Sequence, residues 1–284
     1  MKKITLAVFN LFFTLQTFSQ IPVWQWARSG GGTGVDVGYS ISTDPAGNVF
    51  VAGTFDNSPI TFGNITLFGG PGIFVVKYDA LGNALWARSS SGGDSFFDKV
   101  KSIATDASGN VIIIGYFNLG HIIFGSHVLI NSDTLSPEAD VFVVKYDAVG
   151  NVVWATRPLG LGFDYGYDIA TDANGNVLVT GYFQSTNINF GGNSLTGGGQ
   201  PRLFVAKYDS MGNSMWAKSL GFTQGTEGMG IACDGYGNVL VTEVYGTSPI
   251  IFGSDTLTPI GISDNCVLKF VLILRASFWD TIMY

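Results

Sequence analysis

One short motif is written seven times in this chain of 284 residues. The pattern DxxGN begins at Asp44, Asp79, Asp106, Asp147, Asp172, Asp209 and Asp234. Four of these copies, at Asp44, Asp106, Asp172 and Asp234, are spaced by 62, 66 and 62 residues. Such regular spacing is typical of repeat proteins, in which each unit is one supersecondary structure packed on its neighbours. This repeat constrains the fold more than any other feature of the sequence.

Each repeat unit contains four short runs of β-branched and aromatic residues. In the first unit they are YSIST, NVFVAGTF, IFVVKYD and ALWARS. Runs of this length and composition predict β-strands, and their nearly continuous apolar character predicts burial on both faces. The predicted fold is therefore all-β: a β-propeller whose blades are four-stranded antiparallel sheets.

The DxxGN segments lie between strands one and two and between strands three and four. An aspartate can accept hydrogen bonds from the backbone amides that follow it, and glycine favours the left-handed conformation that closes a type I turn with a bulge. We therefore interpret the motif as a turn. Its likeness to calcium loops of the DxDxDG type is superficial, because most copies lack the second and third carboxylates.

The segments GNVLVTGYF and LFVAKYDSMGNSMWAKSLG resemble a bacterial repeat family named for a seven-bladed β-propeller (SBBP-type repeats), which occurs in secreted and surface proteins. The resemblance covers about residues 24–270. It implies the propeller fold. Because the family has no general catalytic motif, it implies no activity and no functional residue for this chain.

The repeat units span about residues 36–89, 98–157, 164–219 and 227–270, within a propeller domain of residues 21–270. The segment VWQWARS, residues 23–29, matches the fourth-strand sequence ALWARS but has no first three strands before it. The last unit in turn lacks a fourth strand. We expect the N-terminal strand to complete the last blade, which closes a ring of about four blades.

The repeat pattern is lost after Phe270, where Val271, Leu272 and Ile273 stand in place of Asp and two small or polar residues. Deletion of one base from codons for the expected residues would produce these letters. The hypothesis is that residues 271–284 are an atypical, frameshifted or truncated tail. The natural parent would then carry more blades.

The first twenty residues have the layout of a secretory signal peptide. Lys2 and Lys3 precede an apolar run over residues 4–13 and a small-residue region that ends at Ser19, and the apolar run is short for a membrane span. We therefore predict an exported protein, secreted or held on the outer surface of a bacterium, with no membrane span in the mature chain. Its net charge of −7 and lack of a basic cluster argue against nucleic acid as a partner.

Candidate binding residues lie on the face opposite the DxxGN turns, which is built from the links between units and the IxFGxxxL segments. Variable loops of this kind often carry function. Asp36, Asp98 and Asp164 each precede the first turn aspartate of their unit by eight residues, and Glu227 stands one place over in the last unit. Four carboxylates near the mouth of a central channel would repel one another unless a cation such as calcium compensates them. Alternatively, each carboxylate caps a turn and points outward.

Aromatic residues occur in the same links, among them Phe97, Phe163 and Tyr165. Aromatic rings beside carboxylates suit sugar rings or peptides; the alternative is that the rings pack between blades. No cofactor is expected other than calcium, and no metal ligand set is specified. The two histidines, His121 and His127, are expected on an exposed rim.

Cys233 and Cys266 are placed on strands one and three of the last unit. Two strand spacings amount to roughly 9–10 Å, which exceeds the reach of a disulfide bond. The sequence therefore predicts two free, buried thiols.

Two functional hypotheses follow. The first is a non-catalytic exported propeller that presents a loop face to a glycan, a peptide or a surface protein, because the repeated positions are structural and the variable ones lie in loops. The alternative is an enzyme that acts on polysaccharide, with channel-mouth carboxylates as acid and base. An enzyme of that type needs carboxylates with separated pKa values, whereas these recur at equivalent positions.

Overall fold

A computed structural model describes residues 23–56, 59–92, 97–118, 120–132, 138–219, 225–252, 255–261 and 263–271. These residues form antiparallel β-sheets joined by turns and links. The proposed signal peptide, residues 1–20, and all of the tail after residue 271 lie outside the described residues. Within the described residues, no helix has the length and apolar character that crossing a membrane requires.

Four principal sheets follow one another along the chain. Within each of these sheets, the strands lie side by side in the order in which they occur in the chain. The strands of sheet 1 are Asp36–Thr43, Val49–Phe55, Gly72–Tyr78 and Ala84–Ser89. Those of sheet 2 are Lys99–Thr105, Val111–Asn118, Ala139–Tyr146 and Val152–Thr156. Those of sheet 3 are Asp164–Thr171, Val177–Phe183, Arg202–Tyr208 and Ser214–Ser219. Sheet 4 contains Glu227–Cys233, Val239–Tyr245 and Asp264–Phe270.

A short hairpin lies between strands two and three of every unit. The hairpins are Ile60–Phe62 with Ile65–Leu67, His121–Phe124 with His127–Ile130, Asn187–Asn189 with Ser194–Thr196, and Ile250–Phe252 with Asp255–Leu257. The first three also pair with the two-residue strands Gly30–Gly31, Ser91–Gly92 and Leu159–Gly160. These hairpins are the IxFGxxxL segments. In the first three hairpins the Ile and Phe side chains of this motif are buried, as at Ile60 and Phe62, so they pack on the sheet and do not form an open loop face as expected.

All seven DxxGN segments fold into the same turn. At Asp106, Oδ1 accepts hydrogen bonds from the backbone N–H groups of Ser108 and Asn110, both at 3.0 Å. The Asn110 side chain donates to Oδ2 at 2.8 Å. Gly109 has a φ of 75°, a left-handed conformation that favours glycine. The interpretation of the motif as a turn is confirmed.

The lysine of the KYD sequence forms an ion pair that the sequence analysis did not predict. In sheet 2, Nζ of Lys145 lies 2.9 Å from Oδ2 of Asp106, and both side chains are buried. The equivalent pairs are Lys77–Asp44 at 3.5 Å, Lys207–Asp172 at 2.8 Å and Lys269–Asp234 at 2.9 Å. Because a buried carboxylate is unfavourable without a cation, each pair fixes the first turn of a sheet to its third strand.

Tryptophan side chains join consecutive units. Nε1 of Trp86, on the fourth strand of sheet 1, donates to the Ala148 carbonyl in the second turn of sheet 2 at 3.1 Å. Trp154 makes the same bond to the second turn of sheet 3, also at 3.1 Å. The ring lies against the turn glycine, since a Cβ built on Gly150 would be 2.8 Å from the Trp86 ring. Arg88 adds a bond from Nε to the Gly150 carbonyl at 2.8 Å.

The space between consecutive sheets is filled by apolar clusters. One cluster contains Phe50 and Val75 of sheet 1 together with Ile103 and Ile113 of sheet 2, and similar clusters join sheets 2 and 3 and sheets 3 and 4. The first strands of consecutive sheets also contact each other. The sheets therefore stack in chain order, with the first strands on the inner side of the stack.

The N-terminal segment, residues 23–29, lies on sheet 1. Nε1 of Trp26 donates to the Ala80 carbonyl at 3.1 Å, and Nε of Arg28 donates to the Gly82 carbonyl at 2.7 Å. These are the contacts that a fourth strand makes with the following unit, which explains the sequence match.

The expected pairing of this segment with the last sheet is not formed. Sheet 4 has three strands in the described part of the chain, and no apolar cluster of the described residues contains side chains from both sheet 1 and sheet 4. Among the described residues the two end sheets therefore do not pack on each other, and these residues form an open stack and not the expected closed ring of about four blades.

Cys233 and Cys266 are free thiols, as predicted. They lie on the first and third strands of sheet 4, and the second strand separates them. Both are half-buried, not fully buried as expected, because sheet 4 has a neighbour on one side only among the described residues.

Candidate functional site

Two of the predicted carboxylates are buried structural groups. Oδ1 of Asp164 accepts backbone hydrogen bonds from Gln184 at 3.1 Å and Ser185 at 3.2 Å, and Oδ2 accepts from Ser185 Oγ at 2.6 Å. Oδ1 of Asp98 accepts the backbone N–H of Asn118 at 2.9 Å. Burial raises the pKa of Asp164 to about 7, although the Ser185 hydrogen bonds oppose the shift. These groups hold the start of the first strand to the end of the second.

The other two predicted carboxylates do not complete a ring. Asp36 is half-buried, and its Oδ2 accepts a backbone N–H from the preceding link at 2.5 Å. The strand register of sheet 4 places Thr226, and not Glu227, at the position of Asp164, so that Glu227 falls at the position of Tyr165. By its spacing in the sequence, Glu227 stands one place over from the position of the three aspartates. In the structure, Glu227 lies on the inner side of the first strand of sheet 4.

In the part of the chain that is described, no group of three or more His, Cys, Asp or Glu side chains is arranged to hold a metal ion. His121 is exposed, as expected, and His127 is half-buried on the neighbouring strand of the same hairpin. Calcium binding stays a prediction that this arrangement does not favour.

Four tyrosines on the inner side of sheets 2 and 3 form a connected cluster. Tyr116 and Tyr165 meet edge to face with ring centroids 4.5 Å apart. Tyr182 lies 5.0 Å from Tyr165 and 5.6 Å from Tyr167. All four side chains are half-buried, so each ring packs on its neighbours and still presents part of its surface to solvent. Rings in these geometries attract one another through their quadrupoles.

Two lysines extend this cluster. Nζ of Lys101 lies 5.6 Å from the ring centroid of Tyr116 and 5.4 Å from that of Tyr167. Nζ of Lys99 lies 5.9 Å from the ring centroid of Tyr39 in sheet 1. A cation over an aromatic face is attracted by the ring, and these contacts place positive charge at one site of an acidic chain. We name Lys99, Lys101, Tyr116, Tyr165, Tyr167 and Tyr182 the inner aromatic surface.

A β-bulge shapes this surface in each sheet. The register of the first two strands of sheet 3 shifts between Gly166 and Asp168, which leaves Tyr167 as the extra residue. The same shift leaves Lys101 as the extra residue in sheet 2. A bulge redirects side chains and increases the local twist of the strand. The inner aromatic surface is therefore built on the irregular part of each first strand.

The tyrosines of the surface stay protonated near neutral pH. Burial, with a further contribution from Glu227, raises the pKa of Tyr167 to about 12. Burial, with contributions from Tyr167 and Tyr165, raises the pKa of Tyr182 still further. The hydroxyl groups of Tyr167 and Tyr182 are hydrogen-bonded to each other, and a protonated phenol can donate a hydrogen bond to a ligand.

The predicted aromatic residues are partly related to this surface. Tyr165 belongs to it, and Phe163 stacks on Tyr165 with an interplanar angle of 8° and a centroid distance of 6.4 Å. Phe97 is 56% exposed in the link before sheet 2. A cavity of about 260 Å³, lined in part by Tyr39 and Lys99, continues the surface toward sheet 1.

The sequence analysis missed Tyr116, Tyr182, Lys99 and Lys101. Tyr116 and Tyr182 lie on second strands, whose apolar runs read as core. A usable signal was nevertheless present: the position of Tyr165 is Val37, Lys99 and Glu227 in the other units. Variation at a position inside an otherwise regular repeat marks a residue that the scaffold does not require.

Comparison with known proteins supports the architecture. No family model matches the chain. It is 30% identical over 285 residues to an uncharacterized WD repeat-containing protein, L264, of Acanthamoeba polyphaga mimivirus; the match covers 84% of the chain and 20% of that protein. It is also 30% identical over 155 residues to the regulatory protein FlaEY of Caulobacter vibrioides, which covers 50% of the chain and 16% of that protein. The chain thus spans about a fifth or less of the length of these relatives.

The chain is a repeat protein of the β-propeller type. The stacked antiparallel sheets and the similarity to a WD repeat-containing protein both support this description. A solved structure of a protein of unknown function from Bacteroides caccae aligns with a TM-score of 0.40 and 11% identity, over 78% of this chain and 61% of that one. Membership of the SBBP-type family stays a prediction.

Proposed function

We propose that this chain is a non-catalytic interaction domain that binds its ligand on the inner aromatic surface. One observation carries the proposal: four contacting tyrosines and two lysines occupy three repeat positions whose residue is not the same in all units, such as the shared position of Tyr116 and Tyr182, which is Thr54 in sheet 1 and Val244 in sheet 4. Residues that recur in every unit, such as the turn aspartates and their lysine partners, are engaged in holding the sheets together. The residues that differ between units are the ones that can select a ligand.

The chemistry of the surface favours an acidic carbohydrate. Half-exposed tyrosine rings offer flat faces to sugar rings, and phenol hydroxyl groups offer donors to sugar oxygens. The lysines Lys99 and Lys101 add a positive charge that suits a carboxylate on the ligand. A protein segment with acidic side chains is the second candidate class of ligand. A binding test distinguishes it from an acidic carbohydrate.

The polysaccharide-active alternative is less well supported by the geometry. The catalytic pair would have to come from the predicted carboxylates, but Asp164 has both oxygens engaged in hydrogen bonds within its own sheet. Asp98 is buried in the same way. The arrangement suits structural caps better than an acid and a base that must reach a glycosidic bond.

We also retain the proposal that the protein is exported, to the medium or to the outer surface of a bacterial cell. Its support is the layout of residues 1–20 in the sequence. Expression of the full chain in a bacterium, followed by mass measurement of the product in the medium and envelope fractions, tests this. Cleavage near Gln20 is the expected result, and an intact N-terminus in the cytoplasmic fraction would contradict it.

Binding is tested with purified protein and three classes of probe. The first is uronic-acid polymers such as polygalacturonate and alginate, the second is neutral polysaccharides such as laminarin, and the third is polyglutamate. The proposal predicts binding to at least one uronic-acid polymer. The double variant Tyr165→Ala, Tyr182→Ala should weaken it at least tenfold, whereas Phe68→Ala, at a side chain 76% exposed outside the surface, should leave it unchanged.

Two results would contradict the proposal. Equal binding by the double variant and the wild type would place the site elsewhere, provided that both show the same thermal unfolding. Release of new reducing ends from a bound polysaccharide would show an enzyme. Preferential binding of polyglutamate would support the inner aromatic surface as the binding site, but it would identify an acidic protein segment, and not a carbohydrate, as the class of ligand.

A further inference from the structure

The contact between consecutive sheets has two complementary halves. We call the side of a sheet that packs on the following unit its trailing face, and the opposite side its leading face. Val75, Val143 and Val205 occupy the same position on the trailing faces of sheets 1, 2 and 3, and all are buried. Ile103 and Ile169 occupy one position on the leading faces of sheets 2 and 3, and both are buried against the preceding sheet. The chain forms this interface three times.

Among the residues that the structure describes, the two halves at the ends of the stack are open. Ile41, which takes the position of Ile103 on the leading face of sheet 1, is 67% exposed. Val267, which takes the position of Val205 on the trailing face of sheet 4, is 69% exposed. An exposed apolar residue at a position that is elsewhere buried marks a surface without its usual partner.

The leading face of sheet 1 also contains a cavity of about 310 Å³. Ile41, Val49, Val51 and Phe74 contribute to its lining, and Trp26 of the N-terminal segment closes its outer side. In the inner units the corresponding space is filled by side chains of the preceding trailing face. The apolar lining of this cavity therefore suits the face of a preceding sheet.

We infer that a second copy of this chain covers these faces, with the leading face of sheet 1 in one copy packed on the trailing face of sheet 4 in the other. The chemistry is matched, because Leu240, Thr242 and Val267 of sheet 4 stand where Leu178, Thr180 and Val205 of sheet 3 pack on sheet 4. The interface is thus continuous with the one already present between sheets 3 and 4.

Two copies are sufficient to cover both exposed faces. Each copy supplies one leading and one trailing face, so that two identical contacts related by a two-fold axis close the assembly. The ring then holds eight sheets, which is within the range of about four to eight blades found in propellers. Residues 23–29 of each copy would lie beside Asp264–Phe270 of the other, which is an edge strand among the described residues, at the place of a fourth strand.

The oligomeric state of the full chain tests this inference. Light scattering coupled to gel filtration should give twice the chain mass of 30.2 kDa at micromolar concentration. Ile41→Glu and Val267→Glu should each weaken association at least tenfold, because each places a charge in one half of the contact. Both sites are exposed in a single copy, so neither variant should lower the unfolding temperature of the monomer. Phe68→Glu, which lies outside both faces, should remain dimeric.

A charge-pairing variant provides a positive control. Ile41→Glu combined with Val267→Lys in one chain should restore association relative to either single variant, since opposite charges then meet at both contacts. Three results would overturn the inference: a wild-type monomer at 50 μM or above, open-ended polymers, or a monomer whose unfolding temperature falls with Ile41→Glu. The last result would indicate that the two end sheets of one copy close on each other.

Discussion

Trp86 and Ala148 lie 62 residues apart in the chain and are joined by a hydrogen bond of 3.1 Å from the indole Nε1 to the backbone carbonyl oxygen. The same bond joins Trp26 to Ala80 and Trp154 to Ser210, both at 3.1 Å. The second DxxGN turn of sheets 1 to 3 is therefore the acceptor for the preceding segment as well as a local reversal of the chain. This double role accounts for the repetition of the motif between the third and fourth strands.

We expect Gly150→Ala to lower the free energy of unfolding by roughly 2–4 kcal/mol. The φ of Gly150 is 87°, a left-handed conformation that costs other residues about 1–2 kcal/mol. The new Cβ would also lie 2.8 Å from the Trp86 ring, and overpacking of this kind costs about 1–3 kcal/mol. Urea denaturation of the purified variant measures the change.

Gly70→Ala is the matched control, because a Cβ there has no heavy atom within 4 Å. It should change the free energy of unfolding by less than about 0.5 kcal/mol. Equal effects of the two substitutions would show that the turn glycine does not serve as a contact surface for the tryptophan.

We expect the lysine at the KYD position to contribute more to the free energy of unfolding where its side chain is more buried. Lys145→Met removes the partner of a buried carboxylate, Asp106, and should destabilise the chain by about 3–5 kcal/mol. Lys269→Met removes the equivalent pair in sheet 4, where the lysine side chain is 50% exposed, and should cost about 0–1 kcal/mol. Urea denaturation of both variants tests the comparison, and a larger loss for Lys269→Met would contradict it.

Stability should pass through a maximum near pH 5. Burial raises the pKa of Asp164 and Glu243 to about 7, so their contribution to folding is greatest below the unfolded pKa of about 4 and is lost as pH rises toward 7. For Asp106, hydrogen bonds from Asn110 and the pair with Lys145 outweigh burial and lower the pKa. That contribution is present above pH 4 and is lost in stronger acid.

Urea denaturation at pH 3, 5 and 8 measures this profile. The free energy of unfolding should be highest at pH 5, and Glu243→Gln should reduce the difference between pH 5 and pH 8, because glutamine does not titrate. A free energy that increases steadily from pH 5 to pH 8 in the wild type would contradict the assignment of raised pKa values to the buried carboxyls.

Sheet 4 has a different residue pair at a position where the other three sheets pair a glycine with a phenylalanine. Gly53, Gly115 and Gly181 pair with Phe74, Phe142 and Phe204, whereas Glu243 pairs with Cys266. Glu243 is buried, and its Oε2 accepts from Cys266 Sγ at 3.8 Å. Cys266→Phe alone should destabilise the chain by about 1–3 kcal/mol through overpacking.

The double variant Glu243→Gly, Cys266→Phe should recover the loss, since it restores the set present in sheets 1 to 3. A double-mutant cycle in urea should give a favourable coupling of about 0.5–3 kcal/mol. If the effects of the two substitutions are additive, the residues at positions 243 and 266 do not compensate for each other.

The sequence alone was sufficient for the strands of the four principal sheets, the seven turns and the separation of the two cysteines. The turns were predictable because Asp, Gly and Asn at fixed spacing have one local solution, as Asp106, Gly109 and Asn110 show. The pair Lys145–Asp106 was not predictable from local chemistry, because its partners lie on different strands and only the strand register brings them together.

The candidate site was less accessible from the sequence. Counting residues back from the turn aspartates identified Asp98 and Asp164 correctly as equivalent, but equivalence indicated a structural role and not a ring of charges. Glu227 stands one place over from the aspartate position, as the spacing in the sequence indicates, and the register of sheet 4 places it at the position of Tyr165. The cluster of Tyr116 with Tyr165 depends on contact between two sheets, which no single repeat contains.

The repeated residues form the scaffold, and we propose that the inner aromatic surface binds the ligand. Hydrogen–deuterium exchange of the full chain with and without polygalacturonate locates the bound ligand. We expect added protection in the first strands Lys99–Thr105 and Asp164–Thr171, with unchanged exchange in the seven DxxGN turns. Protection confined to the turns, with no change in these first strands, would contradict this proposal.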